Sequence, residues 1–266
     1  MTEELELAEL RLERPADGVV LLTLDNPDRR NVMSDEMTRS WTAAIDALAA
    51  DRSVRVVVVT GAGTAFCSGG NTGWIASEPD ATPAQLRHRM IAFYRAWLSI
   101  RNLDVPTIAA VNGHAVGAGL CLALACDIRY AAPGAKLSVP FVKLGMHAGM
   151  GATYSLPDVV GEAHARDLLL TGRTVDADEA LRIGLVSRVI EGDFLGEVLA
   201  TASEVAATAP VASRLTKVGL RSGGHHDFES ALQWEALAQP ITLATSDLQE
   251  GVRAAREKRA PVFEGK

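Results

Sequence analysis

An α/β fold is predicted by three features of the chain. Apolar, β-branched runs alternate with stretches of helical periodicity through roughly the first two-thirds of the sequence. Residues 54–60 hold four consecutive valines bounded by Arg55 and Gly61, the pattern of a strand buried on both faces of a parallel sheet. One design also occurs twice: a buried strand, a loop of small residues, then a helix, over residues 54–71 and again from 107 to 119 and beyond.

Taken in order, residues 19–24 (VVLLTL) read as a strand between Asp17-Gly18 and Asp25-Asn26-Pro27. A polar loop follows at 26–31 (NPDRRN). Ser34 can cap a helix with Asp35 and Glu36 in its first turn, and Met37, Trp41, Ile45 and Leu48 recur at helical spacing. After the valine strand comes the small-residue loop 61–71, then a polar stretch at 75–83 expected to be a mobile surface segment. A helix over 86–100 carries Phe93, Tyr94 and Trp97. Pro106 precedes a strand at 107–111, and glycines at 113, 117 and 119 open an apolar helix from about 120. Strands are expected at 128–131, 136–141 and 186–190, and helices at 163–170 and 176–183, the latter stopped by Gly184. The remainder, 194–209, 211–221, 228–244 and 248–258, reads as helical, broken at Pro210 and Gly223-Gly224. Residues 1–195 are thus expected to form the core with the ligand site, and 196–266 a helical C-terminal region.

Composition narrows the function. The 266 residues are 48% hydrophobic and 22% charged, enough for one large domain. A net charge of −7 argues against nucleic-acid and anionic-membrane partners, yet a small anion could still bind local arginines and backbone amides. Three cysteines without metal-type spacing point to no metal site and to a reduced, cytoplasmic setting. The acidic start MTEELE lacks the order of an export signal, and no apolar run reaches the length of a membrane span.

In a parallel sheet both small-residue loops leave the carboxyl ends of their strands, where ligands usually sit. Backbone N–H groups near Gly70 and Ala118 could there converge on one oxygen and hold developing negative charge. The alternative is a strand-to-helix turn that needs small residues for packing. Neither loop has the Lys-Ser or Lys-Thr ending of a phosphate loop, and 117–119 lacks the third glycine of a dinucleotide fingerprint.

The sequence resembles the crotonases, the enoyl-CoA hydratase/isomerase superfamily, over nearly its whole length. The likeness rests on 26–31 (NPDRRN), on 61–71 with its AFCSGG core, on 106–127 containing AVNGHAVGAG, on Leu170-Thr-Gly-Arg173, and on 179–186 (EALRIGLV). It implies a spiral of ββα units, a helical C-terminal region for trimer or dimer-of-trimers assembly, and an acyl-CoA thioester as substrate. Coenzyme A is then part of the substrate and no separate cofactor is implied. The thioester oxygen would lie between the amides of Gly70 and Ala118. Arg29 and Arg30, with Ala65, Ser68, Asn71, Thr72, Val116 and Gly117, would border the coenzyme A moiety. Asp28 departs from the basic residue many relatives carry.

The likeness breaks where acid–base chemistry belongs. The two glutamates of the hydratases correspond to Cys121 and Phe141, and the aspartate of some dienoyl isomerases to Gly149. His147 lies in the segment where the family places catalytic groups and is expected either to act as the base or to fix its loop. Cys121 is either a helix-start thiolate or a small core residue. His114 is expected to be structural. Trp74, Phe93, Tyr94 and Trp97 are expected to line an acyl pocket or the core, Ser68 and Asn71 to make turn hydrogen bonds, and His225-His226 to be a solvated loop. The functions left open are an acyl-CoA lyase or isomerase, a thioester hydrolase or decarboxylase, and an acyl-CoA binder without turnover.

Overall fold

Strands begin earlier than the apolar pattern suggests. The computed structural model describes residues 6–221 and 227–266, and its first strand is Leu10–Ala16 (β1), antiparallel to Val19–Leu24 (β2). Alternating charge hides β1 in the sequence, because it is an edge strand with mostly exposed side chains. Ser34 caps Asp35–Ala50 (α1) by accepting from Met37 N at 3.0 Å. The helix buries Met37, Trp41, Ile45 and Leu48, the four residues that set its period.

Three turns of a spiral follow, each a long strand, a short strand and helix. Val56–Gly61 (β3) leads to Ala65–Cys67 (β4), the short helix Thr72–Ile75 (α2) and Pro83–Trp97 (α3). Thr107–Val111 (β5) leads to His114–Val116 (β6) and Ala118–Ala125 (α4). Ile128–Ala131 (β7) leads to Lys136–Ser138 (β8) and Ala152–Thr171 (α5), which is broken at Gly161. Thr174–Asp176 (β9), Ala177–Arg182 (α6) and Arg188–Val189 (β10) complete this part. Four helices end the chain: Phe194–Ala206 (α7), Pro210–Arg221 (α8), Phe228–Leu243 (α9) and Ser246–Glu257 (α10). The break expected at Gly223-Gly224 and the His225-His226 loop lie outside the described residues.

The long strands and the two-residue β10 form a six-stranded sheet in the order β1-β2-β3-β5-β7-β10, parallel from β2 onward. The short ones form a second sheet, β4-β6-β8-β9. The ββα spiral implied by the family likeness is therefore the observed architecture, with a helical C-terminal region.

The valine run is explained by burial on both sides of β3. Val57 and Val59 face a core with Trp41, Trp97, Phe66 and Leu120, whereas Val56 and Val58 face Val198, Ala202 and Ala206 of α7. Each such side chain contributes about 1.5–3 kcal/mol by leaving water. Helix α7 thus covers the outer face of the main sheet, so packing of the core runs past residue 195. Helix α8 is tied beneath by Lys217, whose Nζ donates to Val105 O at 2.7 Å and pairs with Asp127 Oδ2 at 2.9 Å. Arg173 ties the end of α5 to the start of α6, meeting both carboxylate oxygens of Glu179 at 2.9–3.0 Å and Asp167 at 2.7 Å.

Candidate active site

The two small-residue loops interlock at two glycines. Gly69 has φ +91°, and a Cβ there would stand 2.6 Å from Val116 O and 3.2 Å from Ala118 N. A Cβ on Gly119 would stand 2.1 Å from Cys67 O. Only glycine permits this approach of the β4 exit to the start of α4.

Both amides at the junction are unengaged. Met33 N donates to Gly69 O at 2.9 Å in a parallel bridge between Met33 and Gly70, which turns the Gly70 amide away from Met33. Ala118 is the first residue of α4, and a helix leaves its first amides without internal acceptors. Neither N–H has an acceptor among the described residues. Gly70 and Ala118 line one cavity of about 90 Å³, walled largely by Trp74, Phe93, Phe141, Met146 and Met150. Larger clefts, of about 490 and 600 Å³, lie against α8, away from both loops.

The polar loop 26–31 (the arginine loop, with Arg29 and Arg30) is fastened to the small-residue loop 61–71 (the glycine loop) through main chain and one buried amide. Ser68 N donates to Arg30 O at 3.0 Å. Asn31, fully buried at φ +54°, donates from Nδ2 to Ala65 O at 2.7 Å, Ala62 O at 2.9 Å and Phe66 O at 3.3 Å, and its Oδ1 accepts from Asn26 N at 2.9 Å. Sequence reasoning passes over Asn31. The signal available is an Asn, one of the few side chains tolerant of the left-handed region, ending a polar loop just before apolar Val32-Met33. Arg29 and Arg30 are exposed beside this junction.

The structure distributes the other expected site residues unevenly. Ser68, Thr72, Val116 and Gly117 line the cavity with Gly70 and Ala118. Ala65 does not: it is 1% exposed inside β4, its carbonyl taken by Asn31. Asn71 caps α2, accepting from Gly73 N at 3.0 Å and Trp74 N at 3.4 Å, so it makes the turn hydrogen bonds expected of it. His114 is exposed at the start of β6. Trp97 belongs to the core, stacked on Trp41 at 5.1 Å.

His147 stands apart from the residues that line the cavity. Its ring is exposed and outside the cavity, with Nδ1 2.7 Å from Ala148 O. The cause is local: Gly145 turns left-handed at φ +72°, and Met146 N donates to Phe141 O at 3.0 Å. That bond directs Met146 inward and leaves the next residue facing water. Cys121 resolves as a core residue. It is 2% exposed, its Sγ donates to Gly149 O at 3.7 Å, and burial pushes its thiol up to about 12, so it stays protonated at neutral pH. Burial holds Cys67 and Cys126 at about 12 as well.

The cavity's chemistry is therefore narrow. Among the described residues lining it there is no Asp, Glu, His, Lys or Arg; polar side-chain groups come from Ser68, Thr72, Trp74 and Tyr94. No cluster of metal-ligating side chains occurs among the described residues, and none of their helices is long and apolar enough to cross a membrane. What the arrangement supplies is two residues with unengaged main-chain N–H groups, Gly70 and Ala118, lining one apolar cavity.

Comparison with known proteins finds a family model, curated relatives and solved structures similar to this chain. Residues 14–266 match the family model described as enoyl-CoA hydratase/isomerase. A Mycobacterium tuberculosis protein named probable enoyl-CoA hydratase echA14 is 42% identical over 213 residues, covering 79% of this chain and 82% of the relative. Another from that species, probable enoyl-CoA hydratase echA8, is 36% identical over 248 residues, covering 92% and 94%. The crystal structure of an enoyl-CoA hydratase from Bacillus anthracis superposes with a TM-score of 0.90 at 31% identity, covering 97% of this chain and all of that one.

Proposed function

The chain belongs to the enoyl-CoA hydratase/isomerase family, and from that membership we propose that it binds an acyl-CoA thioester with the carbonyl oxygen between the amides of Gly70 and Ala118. The observation that carries this reading is that two unengaged N–H groups, one from each glycine-bearing loop, border the same apolar cavity. As a thioester becomes an enolate or a tetrahedral adduct, charge gathers on that oxygen. Fixed donors in a dry site then lower the barrier, each by about 10²–10³ in rate. The acyl group lies against Trp74, Phe93 and Phe141. Arg29 and Arg30, exposed where the arginine loop meets Ser68, offer forked donors to the phosphates of coenzyme A. Coenzyme A enters as part of the substrate, and the reading calls on no separate cofactor or metal.

The reaction class expected is that of an acyl-CoA lyase or isomerase acting through a thioester enolate. One observation favours a second reading, an acyl-CoA binder without turnover: Cys121, Phe141 and Gly149 supply no carboxylate. A panel of acyl-CoA thioesters followed by mass spectrometry separates the two, since both bind a thioester and only the first changes its mass.

The carbonyl placement has its own test. Acyl-CoA labelled with ¹³C at the thioester carbon is expected to show its carbonyl stretch displaced to lower frequency on binding, in isotope-edited infrared difference spectra. A bound thioester with an unmoved stretch overturns the reading, because two donors on one oxygen must weaken that bond.

Self-association is part of the same proposal. Helix α9 has no buried residue, yet Leu237 is 71% and Ile241 54% exposed on it. A helix with apolar residues left in water is expected to be covered by another copy of the chain, as a trimer or a dimer of trimers.

A further inference from the structure

Tyr94 occupies the space that residue 149 leaves open. A Cβ built on Gly149 would stand 2.4 Å from the Tyr94 hydroxyl oxygen and 3.0 Å from Cζ. The phenol therefore lies directly over the Gly149 backbone, and both residues line the cavity that holds Gly70 and Ala118. The ring is held edge-on against Phe93, with centroids 6.3 Å apart. Its hydroxyl has no hydrogen-bond partner among the described residues. Cys121 stands close by, its Sγ on Gly149 O. All three positions where the family likeness implies carboxylates are thus accounted for: a buried thiol, a phenyl ring, and a glycine with a phenol above it.

We propose that Tyr94 is the acid of this site, its hydroxyl delivering the proton that quenches the thioester enolate at the α-carbon. The proposal rests on the placement of the thioester oxygen between the Gly70 and Ala118 amides. In the step, the enolate electron pair forms the new Cα–H bond as the thioester C=O is restored. The Tyr94 O–H bond breaks, and the phenolate left behind takes a proton from water. Burial, and then the neighbouring Cys121, raise the Tyr94 phenol above its ordinary range, so it enters the step neutral and able to donate. Tyr94 is the one lining group that combines an unengaged O–H with a position over the family's third carboxylate site. Ser68 lies instead on the loop that carries Gly70, and Thr72 opens α2.

The test uses the full chain, a panel of enoyl-, 3-hydroxyacyl- and β-carboxyacyl-CoA thioesters in D₂O, and mass spectrometry of the products. The wild type is expected to turn over at least one thioester and leave one deuterium on its α-carbon. Tyr94→Phe keeps the ring and its packing on Phe93, so the dissociation constant should stay within about threefold while kcat falls about 10²–10⁴-fold, the range of a lost general acid. Gly149→Ala, which sets a methyl against an intact phenol, should lower kcat in the same direction. The wild-type kcat should hold level across neutral pH and fall only above the ordinary phenol range, as Tyr94 ionises. Tyr94→Phe turning over at the wild-type rate overturns the assignment, as does wild-type product without α-deuterium, or no turnover anywhere on the panel. In each of those cases a displaced ¹³C carbonyl stretch still upholds the thioester placement, and an unmoved stretch rejects it separately.

Discussion

Asn31 makes the arginine loop and the glycine loop one piece. Its amide serves three carbonyls of the segment before and within β4 while its own oxygen receives Asn26 N. In Asn31→Ala, Ala62 O and the buried Phe66 O lose this donor, Ala65 O keeps only Asn112 Nδ2 at 3.5 Å, and alanine must hold φ +54° without local compensation. The expected loss is about 2–4 kcal/mol, or on the order of 10 °C in the thermal midpoint, with weaker acyl-CoA binding in the protein that remains folded. Calorimetry and a binding titration check this, and an unchanged midpoint would show that the loops do not depend on the amide. Residue type made some of the site legible in advance. Gly70 and Ala118 sit in strings of small residues that fit either a ligand cradle or a tight strand-to-helix turn, and they do border one cavity. The facing of His147 was not legible, because it is set by a left-handed Gly145 and a Met146–Phe141 bond that no spacing in the sequence announces. Tyr94 was legible only as an aromatic. Its hydroxyl gains meaning from Gly149, 55 residues away by number and in contact only after folding.

At the scale of elements, the contact that orients the site is α4 against β4. Gly119 lies in the first turn of α4, and a methyl there would meet Cys67 O at 2.1 Å and Cys67 C at 2.8 Å, both main-chain atoms that cannot swing aside. Gly119→Ala is therefore expected to push α4 off β4 and pull the two amides apart. Overpacking of this kind costs about 1–3 kcal/mol. Because an ångström of misplacement can cost about 10² in rate, turnover should fall further than stability does. Gly134→Ala is the control: nothing lies within 4 Å of a Cβ at that position, and both stability and turnover should be unchanged. Equal behaviour of the two variants would mean that α4 is not held by this contact. Long elements were readable from the sequence because they bury a repeating face, as with Met37, Trp41, Ile45 and Leu48 in α1. The short strands β4, β6 and β9 were not. Three residues cannot display a period, and these strands exist because the spiral brings them edge to edge, Cys67 beside Ala115 and Leu137 beside Val175.

For the whole molecule, the helical C-terminal region divides into a part that finishes the core and a part that does not. Helix α7 covers the outer face of the main sheet through Val198, Ala202 and Ala206, and α8 is anchored by Lys217. Helix α9 behaves differently. It begins with Phe228 at 78% exposure and carries Leu237 at 71%, with no residue fully withdrawn from water. On the proposed self-association, a neighbouring copy would cover that face, and each leucine it fully covers would contribute about 1.5–3 kcal/mol. Light scattering after size exclusion should therefore give three or six times the mass of one chain. Leu237→Lys, which sets a charge where the second copy should lie, is expected to lower that mass towards the monomer while the main sheet, which α9 does not cover, keeps its circular dichroism. A wild type that runs as a monomer at micromolar concentration, or a Leu237→Lys variant still assembled, would remove α9 from the interface. If Leu237→Lys stays assembled, the interface would instead run through α8 or α10, whose apolar Leu220 and Val252 are also exposed.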